Sequence, residues 1–401
     1  MQRRFFLKSG AMAGPALWLS ACGGGGDGES VAAGNRYKQT NLVANSAVYA
    51  PQIVDPGLID AWGIAIRPAG AGGHFWVTGM GTSFEYVGDV NGTPLSVDDL
   101  ATVGLPASGE NGGAANGVVF NGGANFVITQ AHPNGAITAA AKFIFVSDNG
   151  VLSAWTERKL ANGSFERPAD AIAMVDYGAQ GSAFFGVAIS PAQDKLFVVD
   201  FGGNPTPTLR IFDASFAEEP LAGRFANPFV AASGFKVGDL VPFNVQTITY
   251  GSTTSVFVAY VNTSEDPDNP GQLLPAEESS GRGRGRLVEY SPQGQLIATW
   301  DDRGVLNGPW GVVTAPADFG PFSNQLLVSN FSDGTIVGFD TATRRATEYM
   351  RDTSGNIVKI QGLWNLLFGN GASLGDANAL YFAAGPADET DGLFGSLRFA
   401  G

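Results

Sequence analysis

Asn307-Gly308-Pro309-Trp310-Gly311-Val312, then Leu326-Leu327-Val328-Ser329-Asn330, then Thr335-Ile336-Val337-Gly338-Phe339-Asp340, form a unit in three parts. The first sets an aromatic residue before a glycine and an aliphatic run. The second is a short apolar stretch ending on polar residues, and the third follows it across Asp333-Gly334. Runs of five or six β-branched and aromatic residues separated by Asp-Gly predict two strands joined by a tight hairpin, because glycine accepts the positive φ such turns require.

The unit recurs along the chain. Its first part reappears as Trp62-Gly63-Ile64, Asn116-Gly117-Val118, Phe185-Gly186-Val187, Phe243-Asn244-Val245 and Trp364-Asn365-Leu366. Second parts are read at 75–79, 143–148, 196–200, 256–262, 326–330 and 380–385; third parts are clearest at Val151-Leu152-Ser153-Ala154-Trp155, Leu209-Arg210-Ile211-Phe212-Asp213 and Leu287-Val288-Glu289-Tyr290. Successive first parts lie about 54 to 69 residues apart, enough for a four-stranded sheet with loops. Helical repeats would need amphipathic runs of ten or more residues at these places, and none is found.

The sequence therefore predicts an all-β, six-bladed β-propeller of four-stranded antiparallel blades over residues 37–401. Its sixth repeat ends soon after Leu397-Arg398-Phe399 without a fourth strand, and the spare apolar segment 37–43 is predicted to supply it, closing the ring. Gly or Asn in each first part suits innermost strands crowded around an axis. Trp62, Phe185, Phe243, Trp310 and Trp364 are expected to pack between neighbouring blades.

Composition agrees with this reading. The 401 residues include 56 glycines and only 15% charged residues, which advertises turns rather than solvated helices. The formal net charge is −14, a field that repels nucleic acid and anionic lipid. A single cysteine forms no internal disulfide, and two histidines leave no room for a multi-histidine metal centre. A covalent haem motif, which needs two cysteines, is likewise absent.

The first 21 residues read as an address. Arg3-Arg4-Phe5-Phe6-Leu7-Lys8 resembles a twin-arginine export motif, and the apolar run 11–19 leads to Leu19-Ser20-Ala21-Cys22, which resembles a bacterial lipobox. The apolar run is too short to span a bilayer and contains Gly14 and Pro15. Cleavage would leave Cys22 as the lipidated first residue and take the charge to −17 by removing Arg3, Arg4 and Lys8. Several acyl chains on one residue anchor firmly, since each buried methylene adds about 0.8 kcal/mol. Residues 22–36, with four consecutive glycines, read as a flexible tether. The expected location is the cell envelope, facing the periplasm or the cell surface.

Asp60-Ala61-Trp62-Gly63-Ile64-Ala65, the segment from Asn307 through Ala315-Pro316-Ala317-Asp318-Phe319-Gly320, and Gly362-Leu363-Trp364 with Gly392-Leu393-Phe394-Gly395 resemble an uncharacterised family of exported bacterial propellers. Some of its members carry PEP-CTERM-type sorting signals, whereas this chain ends at Ala400-Gly401. The resemblance implies the fold and no assigned activity. More distantly, the pattern is similar to NHL-type and gluconolactonase-like propellers, some of which hold an axial calcium ion and hydrolyse lactones.

That likeness makes Asp60, Asn116, Asn244, Asn307 and Asn365 candidate axial calcium ligands, because they stand at or just before innermost strands and calcium takes hard oxygen donors. The other reading of the same residues is capping of turns and strand ends, the usual work of Asn and Asp there. His74 and His132 are candidate general bases, but no nucleophile motif accompanies them, which favours ordinary loop residues. The stretch 265–269 lacks the glycine and terminal glutamate of a calcium loop and reads as an acidic insertion in the fourth blade. The Gly-Arg run 281–286 abuts a strand in an acidic protein and reads as a loop entering it. Two functions follow: a non-catalytic binding or scaffolding module for a protein, glycan or small molecule, or a metal-dependent lactonase or esterase acting through polarised water.

Overall fold

A computed structural model describes residues 34–203, 206–231, 233–266, 273–275 and 283–401. Six antiparallel sheets are arranged as a six-bladed β-propeller. Blade one comprises Ile64–Ala65, Phe75–Gly79, Thr82–Val87 and Ser96–Gly104; blade two comprises Ala115–Phe120, Phe143–Ser147, Val151–Trp155 and Ile172–Asp176. Blade three is built from Phe184–Ile189, Lys195–Asp200, Thr208–Asp213 and Glu218–Glu219, and blade four from Leu240–Tyr250, Thr253–Glu265, Gly285–Tyr290 and Leu296–Thr299. Blade five holds Pro309–Thr314, Leu326–Asn330, Ile336–Asp340 and Arg345–Tyr349.

Blade six closes the ring. Leu363–Phe368, Ala379–Ala384 and Leu393–Phe399 come from the end of the chain, and Tyr37–Ala44 adds the fourth strand, pairing Tyr37 with Phe399 and Ala44 with Leu393. The predicted closing strand is thus one residue longer than expected, and Ile53–Val54 pairs parallel to it as an extra edge. The Tyr37 hydroxyl donates to Phe319 O at 2.7 Å, tying this strand to the loop after the first strand of blade five. The predicted hairpins form as read, with Gly150 at φ 78° and Gly334 at φ 70°.

Blades two and four exceed the repeat. Blade two carries two extra hairpins, Val127–Gln130 with Ile137–Ala140 and Arg158–Lys159 with Phe165–Glu166. In blade four the first two strands run on together from Leu240↔Asn262 to Tyr250↔Thr253, where much shorter strands were expected. The insertion read at 265–269 begins at the end of this long strand, and residues 267–269 lie outside the described residues.

The small residue of each first part is explained by contact with the next blade. A Cβ on Gly63 would stand 3.1 Å from the Val118 side chain of blade two, on Gly117 3.1 Å from Val187 N of blade three, and on Gly311 2.8 Å from Leu366 N of blade six. Where asparagine replaces glycine, its amide bridges instead: Asn244 donates to Trp310 O at 2.9 Å, and Asn365 to Ile64 O at 3.5 Å. Blades one and five add a hydroxyl relay. Gly63 N–H donates to Thr78 Oγ1, which donates to Ala115 O of blade two at 2.6 Å; Gly311 N–H, Ser329 Oγ and Trp364 O of blade six repeat the pattern.

Candidate functional site

The first-part aromatics were expected between neighbouring blades; instead they converge on the axis. The Trp62 ring of blade one lies 5.9 Å from Phe185 of blade three, 5.3 Å from Trp310 of blade five and 3.9 Å from Trp364 of blade six, with which it is stacked. Phe185 lies 6.2 Å from Trp310 across the ring, Phe243 packs edge-on to Trp310 at 4.7 Å, and Trp310 does so to Trp364 at 4.9 Å. Contacts between blades that are not adjacent require all five side chains to meet at the centre. Each such pair adds about 0.5–1.5 kcal/mol beyond its buried area. Phe201 and Phe331 extend this plug, stacked on Phe185 at 4.9 Å and on Trp364 at 3.7 Å.

Asn116 of blade two takes the sixth place of the ring. It is 1% exposed, and among the described residues neither its amide oxygen nor its amide nitrogen has a hydrogen-bond partner; the same holds for Trp62 Nε1.

Polar groups gather where the first strands enter the plug. At the ends of three second strands a carboxylate or amide oxygen accepts the backbone N–H of the incoming segment of its own blade: Asp148 from Ala114, Asp200 from Ala183 and Asn330 from Asn307. Asp200 is also neutralised by Arg210 at 2.8 Å. Asp60 is buried, accepts from Trp364 Nε1 at 3.3 Å, and lies so close to Gly385 that a Cβ there would stand 2.4 Å from its Oδ1. Burial pushes the Asp60 carboxyl up to about 8, and the charge of Asp148 adds to the rise. The Asp148 carboxyl is likewise pushed up by burial, to about 7.

The five candidate calcium ligands do not offer one oxygen cage. Asn244 and Asn365 sit at the glycine level and spend their amides on bridges between blades. Asn116 belongs to the aromatic ring, while Asn307 donates to Asp333 at 3.3 Å and Asp60 accepts from an indole. Among the described residues, no three His, Cys, Asp or Glu side chains gather to hold a metal ion. The donor set as placed does not fit calcium, which wants six to eight oxygens.

Away from the axis, His74 is buried between blades one and two, its Nε2 3.0 Å from Asp98 Oδ1. A chain of ion pairs continues through Arg167, 3.5 Å from Asp98 and 3.2 Å from Glu157, to Arg67, 2.6 Å from Glu157. Burial pushes the imidazole down to about 4, which suits a neutral structural group. Glu85, paired across strands with Trp76, is buried in the same blade, and burial pushes its carboxyl well above the ordinary range. His132 lies in an exposed turn, accepting from Asn134 N at 3.2 Å. Arg286 enters the third strand of blade four and lies 3.4 Å from Asp302, so this end of the Gly-Arg run is a strand entrance. The sequence missed the ion-pair chain because its members are scattered from Arg67 to Arg167; no local spacing marks them. Arg3, Arg4 and Cys22 lie outside the described residues.

No family model matches the chain. It is 28% identical over 365 residues to the uncharacterised protein R648 of Acanthamoeba polyphaga mimivirus, covering 90% of this chain and 80% of that one. It is 27% identical over 367 residues to protein L690 of the same virus, also uncharacterised, covering 90% and 85%. Among solved structures it is similar to an α-L-arabinofuranosidase from Fusarium graminearum, with TM-score 0.49, 12% identity, and 91% and 98% of the two chains covered. A glucose dehydrogenase gives TM-score 0.46 at 14% identity over 90% and 98%, and a gluconolactonase from Xanthomonas campestris gives 0.33 at 14% over 64% and 82%.

Proposed function

We propose that this chain is an exported cell-envelope lipoprotein, held to the membrane through Cys22, whose propeller is a non-catalytic binding or scaffolding module. The observation that carries the binding reading is the axial plug: five aromatic side chains fill the centre of the ring where a hydrolytic propeller would hold metal and water. The export and anchoring parts rest on Arg3-Arg4, the apolar run and the lipobox-like Leu19-Ser20-Ala21-Cys22. Among the described residues no helix is long and apolar enough to cross a membrane, so membrane attachment in this reading falls to the lipid on Cys22.

The binding reading is tested by metal analysis of the purified protein together with thermal melts in calcium and in chelator. Equal midpoints and no stoichiometric metal are expected; a midpoint raised by calcium, or lactone hydrolysis lost on chelation, overturns it, because a ligand that binds only the folded state must stabilise it. Anchoring is tested separately by expressing Cys22→Ala. The variant is expected in the soluble fraction without labelled acyl chain; membrane retention equal to wild type overturns the anchor.

A further inference from the structure

A cavity of about 70 Å³ lies at the rim of blade five, between its third and fourth strands and the loop that leads into the blade. Val305, Val337, Ala346 and Tyr349 line it with apolar surface, and Arg303, Thr347 and Glu348 with polar groups. It opens to solvent, because Arg303 is exposed and Thr347 and Glu348 are only half-buried.

We propose that this cavity takes a small free α-amino acid, with the ligand carboxylate on Arg303 and the ligand ammonium on Glu348. The inference rests on the binding-module reading above and gives it a ligand class.

Two local irregularities bring the charges to the cavity. The fourth strand carries a bulge: Tyr349 pairs with Val337 and Ala346 with Phe339, so Thr347 and Glu348 together stand against Gly338. An extra residue in one strand re-aims the side chains around it. On the loop, Arg303 sits at φ 51°, an uncommon conformation for a residue with a side chain. The turn is held by Arg303 N–H, which donates to Asp301 Oδ1 at 3.1 Å, and by Gly304 N–H, which donates to Asp302 Oδ1 at 2.6 Å.

Both charges are left over from the fold. The acids beside Arg303 face other cations: Asp301 pairs with Arg345 at 3.0 Å, and Asp302 lies 3.4 Å from Arg286. Among the described residues the Arg303 guanidinium has neither a hydrogen bond nor an ion pair, although acidic residues outnumber basic ones 37 to 23 in the chain. Glu348 accepts from Asn35 Nδ2 at 2.9 Å through Oε2, which leaves Oε1 for another donor.

The pair of charges selects the ligand. A guanidinium only donates and a carboxylate only accepts, so an anion alone would face Glu348 and a cation alone would face Arg303. A zwitterion satisfies both. A cavity of this volume holds only a few heavy atoms, so the two charges of the ligand must be close together, as on one α-carbon, and not at opposite ends of a peptide. Val305, Val337 and Ala346 then offer a wall to a short aliphatic side chain.

The test uses the purified chain and ligand-observed NMR saturation transfer with alanine, propionate and ethylamine, the last two each lacking one of the charges. Saturable transfer to alanine is expected. Affinity should be at least about tenfold weaker for propionate and ethylamine, and for alanine in Arg303→Gln and in Glu348→Gln, the scale of one lost charge-assisted hydrogen bond. Arg303→Gln removes no existing partner, and the side chain introduced by Glu348→Gln still accepts from Asn35, so both variants are expected to melt like wild type. Should Glu348→Gln not fold, Arg303→Gln decides. Wild-type affinity in folded Arg303→Gln, propionate or ethylamine matching alanine, or no saturable transfer to alanine overturns the proposal. A melt raised by calcium would instead overturn the binding-module reading, so the two failures are distinguishable.

Discussion

Glu85 and His74 show how a single side chain can set the pH response of a large fold. The His74 imidazole is held near 4, against 6.5 when free, so between those values the unfolded chain binds a proton that the folded chain refuses. Stability is therefore expected to fall on acidification from pH 6.5 towards 4. His74→Gln, which keeps an N–H for Asp98, should flatten that limb, removing about 1–3 kcal/mol of pH dependence in denaturant melts. Glu85 has the opposite sign: its raised folded value makes the native state hold a proton longer, and stability declines as pH rises through and above the ordinary carboxyl range. Glu85→Gln should therefore stabilise at pH 8 and match wild type near pH 4; equal melting at both values would show that the carboxyl is solvated after all. At the axis, Trp310→Ala removes a ring touching four others and is expected to cost about 3–5 kcal/mol in unfolding free energy.

The strands are individually short, and what secures them is the way each is tied to the next sheet. Gly311 is the sharpest case, because two of the three atoms nearest its absent Cβ are backbone atoms of blade six, Leu366 N at 2.8 Å and Trp364 O at 3.0 Å, which cannot swing aside. Gly311→Ala is expected to destabilise by at least about 1–3 kcal/mol, the usual cost of overpacking, measured as a shifted urea midpoint. The closing strand is tested by deleting residues 1–44. This exposes the Leu393–Phe399 edge and removes the Tyr37 hydroxyl bond to Phe319, so insoluble or non-cooperative protein is expected. Soluble protein with a wild-type melt would show that blade six stands without its N-terminal strand.

For the whole molecule, closure by strand pairing makes the position of the chain ends incidental. A Cβ on Gly34 would lie 3.5 Å from Gly401 C, so the two ends of the ring meet. A permutant joining Gly34 to Gly401 and opened in the exposed turn at Gly251 moves the closure from blade six to blade four; it is expected to fold with near-native circular dichroism and a melt within a few degrees of the parent.

The order of the blades, their hairpin turns and the closing strand were legible in the sequence, because strand periodicity, Asp-Gly punctuation and spacing are local properties of a repeating chain. Asn116 was visible as the exception in a column of aromatic residues, yet its consequence was not. Whether Trp62, Phe185, Phe243, Trp310 and Trp364 lie between blades or meet at the centre depends on how far six sheets tilt and how closely their first strands approach, a quantity fixed only when the ring closes. The same closure decided that Asn244 and Asn365 bridge to neighbouring backbones instead of reaching for an ion, and it alone brought Asp60 of the first repeat to Trp364 of the last. Local pattern determined the parts; the mutual packing of distant parts determined where the charges and the axial rings came to rest.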